Sequence, residues 1–255
     1  MAYRMHTLLV LSSCLMGGLL TACDAPDDEP SAEIDENEVV AEAESAAKIK
    51  AKTPTKRLVR EWTRWAMELP WSTGPINDPT GAMCGESQEG PVWFLAGTSG
   101  GAATRECDIP AHKQLFFPLV NRFCMFPPEF YPDQASIDAE LPAIAEWYDY
   151  MREHTCSLTL RIDGQDVFDG GLAEMDDELY VETSNLFEVE LNADDNFLSA
   201  YGVAGGSMPA SSSGHFARIK ALPPGDHVLE LGGSTCDGDE LWFETSVTYH
   251  LHVAE

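Results

Sequence analysis

The sequence predicts a mainly β protein: a β-sandwich-like domain with an N-terminal helix and a mid-chain helical insertion. Three observations carry that expectation. Between residues 92 and 253, short apolar or alternating runs recur between Gly, Pro and Asp turn residues, as strands of a sandwich do. Only two segments repeat apolar residues at helical three- and four-residue steps. A composition of 44% hydrophobic and 9% aromatic residues over 255 positions supplies a core for one large or two small domains, which excludes wholesale disorder.

Residues 1–22 read as a signal peptide rather than as structure. Arg4 and His6 precede an apolar run at 8–20, too short for a membrane-crossing helix of about 20 residues. The run ends in Leu20-Thr21-Ala22-Cys23, which resembles the lipobox of bacterial lipoproteins. That resemblance implies cleavage before Cys23 and acyl chains on Cys23. Several chains anchor a protein stably where one is marginal. The expected address is the bacterial cell envelope, with the lipoprotein facing the periplasm or the exterior.

Residues 23–52 are expected to form the lipid-anchor site and a disordered tether. Ten acidic residues and no basic one fall between 24 and 47, and self-repulsion keeps such a segment solvated. Seven basic residues then fall within 48–64, against Glu61 alone. The second half of that stretch reads as an amphipathic helix, because Leu58, Trp62, Trp65 and Leu69 share a face. Thr53-Pro54 offers a start and Pro70 a stop. The whole chain has 43 acidic and 15 basic residues, a net charge of -28. The part beyond residue 64 alone carries 32 acidic and 7 basic residues, or -25. A nucleic-acid partner is excluded, because phosphate binding needs a basic footprint.

Residues 53–255 are expected to be a single globular domain, with a helix and a disulfide-stapled part to about 155 and a sandwich-like part over 156–255. Residues 92–96 and 114–120 read as strands. Residues 143–154 read as a helix with Ile144, Trp147, Tyr148 and Met151 on one face and Pro142 in the first turn. Alternation over 157–162, then Asp163-Gly164, marks a hairpin. Runs at 179–191, 216–222, 228–231 and 242–253 complete the sheets. Pro223-Pro224-Gly225-Asp226 is a turn in which proline presets φ and glycine supplies a positive one.

Three blocks of text stand out: Trp62-Thr63-Arg64-Trp65-Ala66; Gln88-Glu89-Gly90-Pro91-Val92-Trp93-Phe94-Leu95-Ala96-Gly97, followed by Gly100-Gly101, Arg105 and Cys107; and Leu222-Pro223-Pro224-Gly225-Asp226-His227 with Val247-Thr248-Tyr249-His250-Leu251. In these the chain resembles a family of uncharacterised secreted bacterial proteins. The resemblance implies a shared fold unit over most of residues 62–253 and carries no activity with it. His112 stands where the family has a small turn residue, and His215-Phe216 where it has an aromatic pair.

Cys14 leaves with the signal and Cys23 takes the lipid, so Cys84, Cys107, Cys124, Cys156 and Cys236 remain in an oxidising space. Five cysteines allow at most two disulfides, with one thiol left over. The expected pairs are Cys84–Cys107, which straddles the strand bearing Trp93, and Cys124–Cys156. No Cys-x-x-Cys pair points to zinc or redox chemistry, and no cofactor is expected.

Gly97-Thr98-Ser99-Gly100-Gly101 matches the Gly-x-Ser-x-Gly nucleophile elbow. It has the strand that should precede it but no room for a long helix after it, since Ile109-Pro110 closes the segment. The glycine-rich serine also resembles that of trypsin-like proteases. There histidine and aspartate precede the serine, whereas the one upstream histidine here is His6. A glycine turn between strands is the preferred reading, and Ser99 stays the catalytic candidate. His250 and His252 share a strand face at ligand spacing, without a completing carboxylate. The acidic runs at 176–178, 194–196 and 237–240 offer oxygen ligands but not the spacing of a calcium loop, and Asp237, Asp239 and Glu240 are the metal candidates. Arg105 and Asn121 are expected to stitch turns together. Trp71, Phe130 and Tyr131 are candidates to stack on sugar rings.

Together these readings predict a lipid-anchored cell-envelope protein, joined to the membrane through Cys23, whose β-rich domain binds or scaffolds a protein or glycan. An envelope serine hydrolase using Ser99 and a carbohydrate-binding module are the alternatives.

Overall fold

Strands dominate the computed structural model, which describes residues 51–52, 54–183 and 185–255; the signal, Cys23 and the acidic tether lie outside the described residues. The chain runs β1 (Ala51–Lys52), α1 (Lys56–Glu68), β2 (Val92–Phe94), β3 (Gly101–Ile109), β4 (Gln114–Met125), α2 (Gln134–Glu153), β5 (Thr155–Ile162) and β6 (Gln165–Asp166). It continues α3 (Gly171–Leu179), β7 (Tyr180–Glu182), β8 (Phe187–Leu191), a single 3-10 turn at Ser199–Tyr201, β9 (Gly206–Ile219), β10 (Gly225–Asp237) and β11 (Glu240–Val253).

Two mixed sheets face one another. A six-stranded sheet has the order β1-β9-β4-β2, with β7 and β8 also on β9, and a five-stranded sheet has the order β3-β11-β10-β5-β6. β2 joins β4 and β3 joins β11 in parallel; the other pairings are antiparallel. Period-two alternation sends Leu115, Phe117 and Ile219 of the first sheet against Leu229, Leu231 and Leu251 of the second, which makes the inner core. A second layer covers the outer face of the six-stranded sheet. There Leu58, Val59, Trp62 and Ala66 of α1 bury against Phe116, Val189 and Phe216. The Thr55 hydroxyl caps α1 by accepting from the Leu58 N–H at 3.3 Å, and Trp62 Nε1 donates to Leu95 O at 2.9 Å. A small third cluster, Cys124, Phe126, Ile137, Ile144 and Tyr148, seats α2.

Several sequence expectations are corrected here. α2 begins at Gln134, nine residues before the expected start, and Pro142 lies inside it rather than in its first turn. The reason is a capping box: the Asp133 carboxylate accepts from Ser136 N–H at 2.9 Å while the Ser136 side chain closes back on Asp133. α1 starts at Lys56 under a Thr55 cap rather than at Thr53-Pro54. The run at 179–191 is not one strand but β7 and β8.

Cys84–Cys107 and Cys156–Cys236 are disulfide-bonded, and Cys124 is disulfide-bonded as well rather than being left over as a free thiol. The expected Cys124–Cys156 pair is therefore wrong. Cys156 sits on β5 beside β10, where Ser157 faces Ser234 and Thr155 faces Thr235, and this places Cys236 as its partner at a Cα separation of 6.0 Å. Cys124 is on β4, in the other sheet, packed under α2. Among the described residues no helix is long and apolar enough to cross a membrane.

Candidate functional site

The site arises where a strand parts from its neighbour. β4 has 12 residues, but β2 pairs with Gln114, Leu115 and Phe116 alone. After Leu95 N–H reaches Phe116 O at 3.0 Å, the chain crosses to the five-stranded sheet, where Thr98 N–H donates to Thr245 Oγ1 at 3.1 Å. Gly100 at φ 134 and Gly101 at φ 78 complete the crossing, conformations that glycine adopts without strain. Arg105 pins it from below, fully buried, donating to the carbonyls of Ala96 (2.9 Å), Gly97 (3.2 Å) and Ile76 (3.0 Å) and to Tyr249 OH (2.9 Å). Its expected role as a stitch between turns describes what it does.

The departure of the chain leaves a groove of about 630 Å³ along residues 118–123 of β4. Aromatic side chains wall it on both sides. On one, Phe197 stands edge-on between Trp71 (5.1 Å) and Phe123 (5.2 Å). On the other stand Trp147 and Tyr150 of α2 and Trp242 of β11. Trp242 stacks on His154 at 5.1 Å and lies parallel to Tyr150 at 6.0 Å. Tyr150 and Leu241 at the rim stay 45% and 57% exposed, unusual for large side chains that have no folding reason to face water. Trp71 is held by the 194–196 run: its N–H donates to Asp195 O at 3.0 Å, and the Asp195 carboxylate accepts from Ser72 N–H. That acidic run thus supports the wall.

Ser99 lies in the groove and is exposed, donating to Asn77 Oδ1 at 3.2 Å, while Asn77 Nδ2 donates to Trp71 O at 2.8 Å. The histidines engaged in hydrogen bonds contact other groups: His154 with Tyr150 O, His215 with Asp176, His227 with Asp163, His252 with Asp226. No carboxylate–histidine pair reaches Ser99 among these bonds. His250 and His252 do share the solvated face of β11. Asp237 and Glu240 face each other across the tight β10–β11 turn, with Gly238 at φ 58 and Asp239 between them. Among the described residues no group of three or more His, Cys, Asp or Glu is gathered to hold a metal ion. Phe130 is 43% exposed, and Tyr131 packs edge-on against Phe126 at 5.1 Å; neither lines the groove, so of the three expected aromatics only Trp71 does.

A polar cluster lies under the C-terminal end of α2. Asp176 of α3 accepts from Arg152 Nη2 at 2.8 Å and pairs with His215 Nε2 at 2.7 Å. Burial pushes the His215 pKa down to about 4 against the pull of Asp176, so the ring is neutral and donates from Nε2. Burial raises the Asp176 pKa, but hydrogen bonds from Arg152 and His215 outweigh it and hold the carboxyl below its ordinary value. Arg122 on β4 reaches the same region, its Nη2 donating to Met151 O at 3.1 Å near the α2 C-terminus, where the helix dipole favours a cation. Burial lowers its pKa to about 10.

Comparison of the chain with protein-family models, curated proteins and solved structures returns no match. Function therefore has to be argued from the groove itself. Sequence reading missed most of it: Phe123, Phe197, Tyr150 and Trp242 come from four separate segments, and Trp147 was visible only as part of a helix face. The one available signal was the density of aromatics around residues 147–150 and 242–243.

Proposed function

We propose that the protein is a lipid-anchored envelope protein whose acidic spacer presents a non-catalytic binding domain, with the aromatic groove as its ligand seat. One observation carries this reading: a recess of about 630 Å³, within the range of ligand sites, walled by Trp71, Phe123, Phe197, Trp147, Tyr150 and Trp242. Aromatic faces of this kind give large contact area at little entropic cost. Binding ranks above hydrolysis because Ser99 donates to an asparagine and lacks the histidine that would activate it. The membrane partner rests on the lipobox sequence.

The test is retention of the detergent-solubilised full-length protein on a glycan array and on a random-peptide array. Retention on either, lost in Trp242→Ala and Trp71→Ala, supports the groove as the seat. Blank arrays, or retention unchanged in both variants, would overturn it. A fluorophosphonate probe on the same protein addresses the hydrolase alternative: labelling lost in Ser99→Ala would put catalysis back in the groove. Trp71 in the wall favours a saccharide as the second reading.

A further inference from the structure

We infer that the groove takes an extended polypeptide as an added strand on the free edge of β4, a segment of neutral or basic charge with bulky apolar side chains at alternate positions. This inference rests on the groove being the ligand seat and names the class of ligand.

The edge is the first argument. In an antiparallel ladder, alternate residues turn both backbone groups toward the same neighbour. Phe126 N–H donates to Pro209 O at 2.9 Å, and Arg122 O accepts from the Ser212 hydroxyl at 3.1 Å, so even-numbered residues of this stretch face β9. Asn121, Phe123 and Met125 therefore point their N–H and C=O groups the other way. On that side no strand pairs with β4 beyond Phe116 among the described residues. Protein sheets generally cover, shorten, charge or bulge such an edge; here Pro118 and the bulge between Pro118 and Val120 do so at one end, and the stretch from Asn121 onward keeps its register with β9. Backbone groups half-shielded from water need partners, and a second strand supplies them in register.

Shape and charge give the other two. Residues 118–123 extend about 20 Å at strand rise, room for roughly six residues of a partner. Side chains of an added strand alternate between its faces. One set would meet Phe123, Phe197 and Trp71, and the other Trp147, Tyr150 and Trp242. Of the charged side chains lining the groove, Glu240 stands at the rim and Arg122 on the β4 wall, where it donates to Met151 O; the net charge of -25 beyond residue 64 disfavours an acidic occupant overall. The chain's own spacer, with ten acidic residues in 24–47, is disfavoured on that ground. A saccharide would use the aromatic faces but give the alternating amides no directional role.

The test uses full-length protein in detergent and a positional-scanning library of Lys-flanked octapeptides, read by fluorescence anisotropy. The best binder is then N-methylated one amide at a time. Strand addition predicts about tenfold weaker binding at every second amide and little change at those between. Asn121→Pro, which removes one edge N–H, is expected to weaken the same peptide by about tenfold. If that variant does not fold, the methylation pattern on the unaltered protein decides. Equal sensitivity at all amides, or none, overturns the inference. Glycan retention without peptide binding also overturns it while leaving the groove as ligand seat, and absence of both removes the groove reading as well.

Discussion

His215 is wholly buried, with its pKa held near 4 by burial against an ordinary value of 6.5. The unfolded chain therefore binds more protons than the folded one between these values, and stability must fall as the pH drops through that window. The lowered Asp176 pKa acts in the same direction, its contribution being lost as the carboxyl protonates in more acid solution. Together they make the docking of α3 on β9 acid-sensitive. The His215 part alone is worth up to about 3 kcal/mol. Urea denaturation at pH 7.5, 6.5, 5.5 and 4.5 checks this, and His215→Gln is expected to flatten the slope between pH 6.5 and 4.5. An unaltered slope in that variant would show that His215 is not the group responsible. Trp242 is a different case. It is half-buried and stacked only at the rim, so Trp242→Ala is expected to lower groove affinity by about tenfold or more while moving the thermal midpoint by a few degrees at most. A large fall in the midpoint would make it a structural residue instead.

Among the elements, those with strong local signals were legible in the sequence and those set by distant neighbours were not. The face of α1 reads directly from Leu58, Trp62 and Trp65, and the Asp163-Gly164 hairpin appears as both residues at positive φ. β3 escaped notice because Gly101 to Thr104 are small and the inward face, Ala103, Arg105, Cys107 and Ile109, offers a single large apolar side chain; its parallel partner β11 lies far away in sequence. The first half of β9 was hidden by Ser211, Ser212 and Ser213, which are buried. Ser211 pairs with Tyr148 and Ser212 bonds Arg122 O. The Cys156–Cys236 bridge was equally invisible, since it depends on β5 lying beside β10. It closes a separation of 80 residues, against 23 for Cys84–Cys107. Chain entropy then predicts a cost of about 4–5 kcal/mol for the double Cys→Ser change at the first pair and about 3 kcal/mol at the second. Urea midpoints of the two double variants, compared with the unreduced parent, measure the order; the reverse order would show that local packing outweighs loop closure.

At the scale of the whole molecule, the domain places its groove where the chain crosses from one sheet to the other, and the net charge of -25 beyond residue 64 disfavours an acidic occupant there. Under the proposed reading, a binding domain held at a membrane gains because tethering raises the effective concentration of anything displayed on the same surface. Among the described residues no helix is long and apolar enough to cross a membrane, and the exposed large hydrophobic residues are Phe130, Tyr150, Leu172 and Leu241. Under the proposed reading attachment falls to Cys23, with each buried methylene of its acyl chains contributing about 0.8 kcal/mol. Cys23→Ala is then expected to shift the protein from the membrane pellet to the soluble fraction after cell lysis, to abolish incorporation of an alkyne-labelled fatty acid, and to leave the circular-dichroism spectrum and groove binding unchanged. Membrane association that survives both Cys23→Ala and high salt would rule out the acyl anchor. A natural product whose mass corresponds to an intact Met1 terminus without lipid would do so directly.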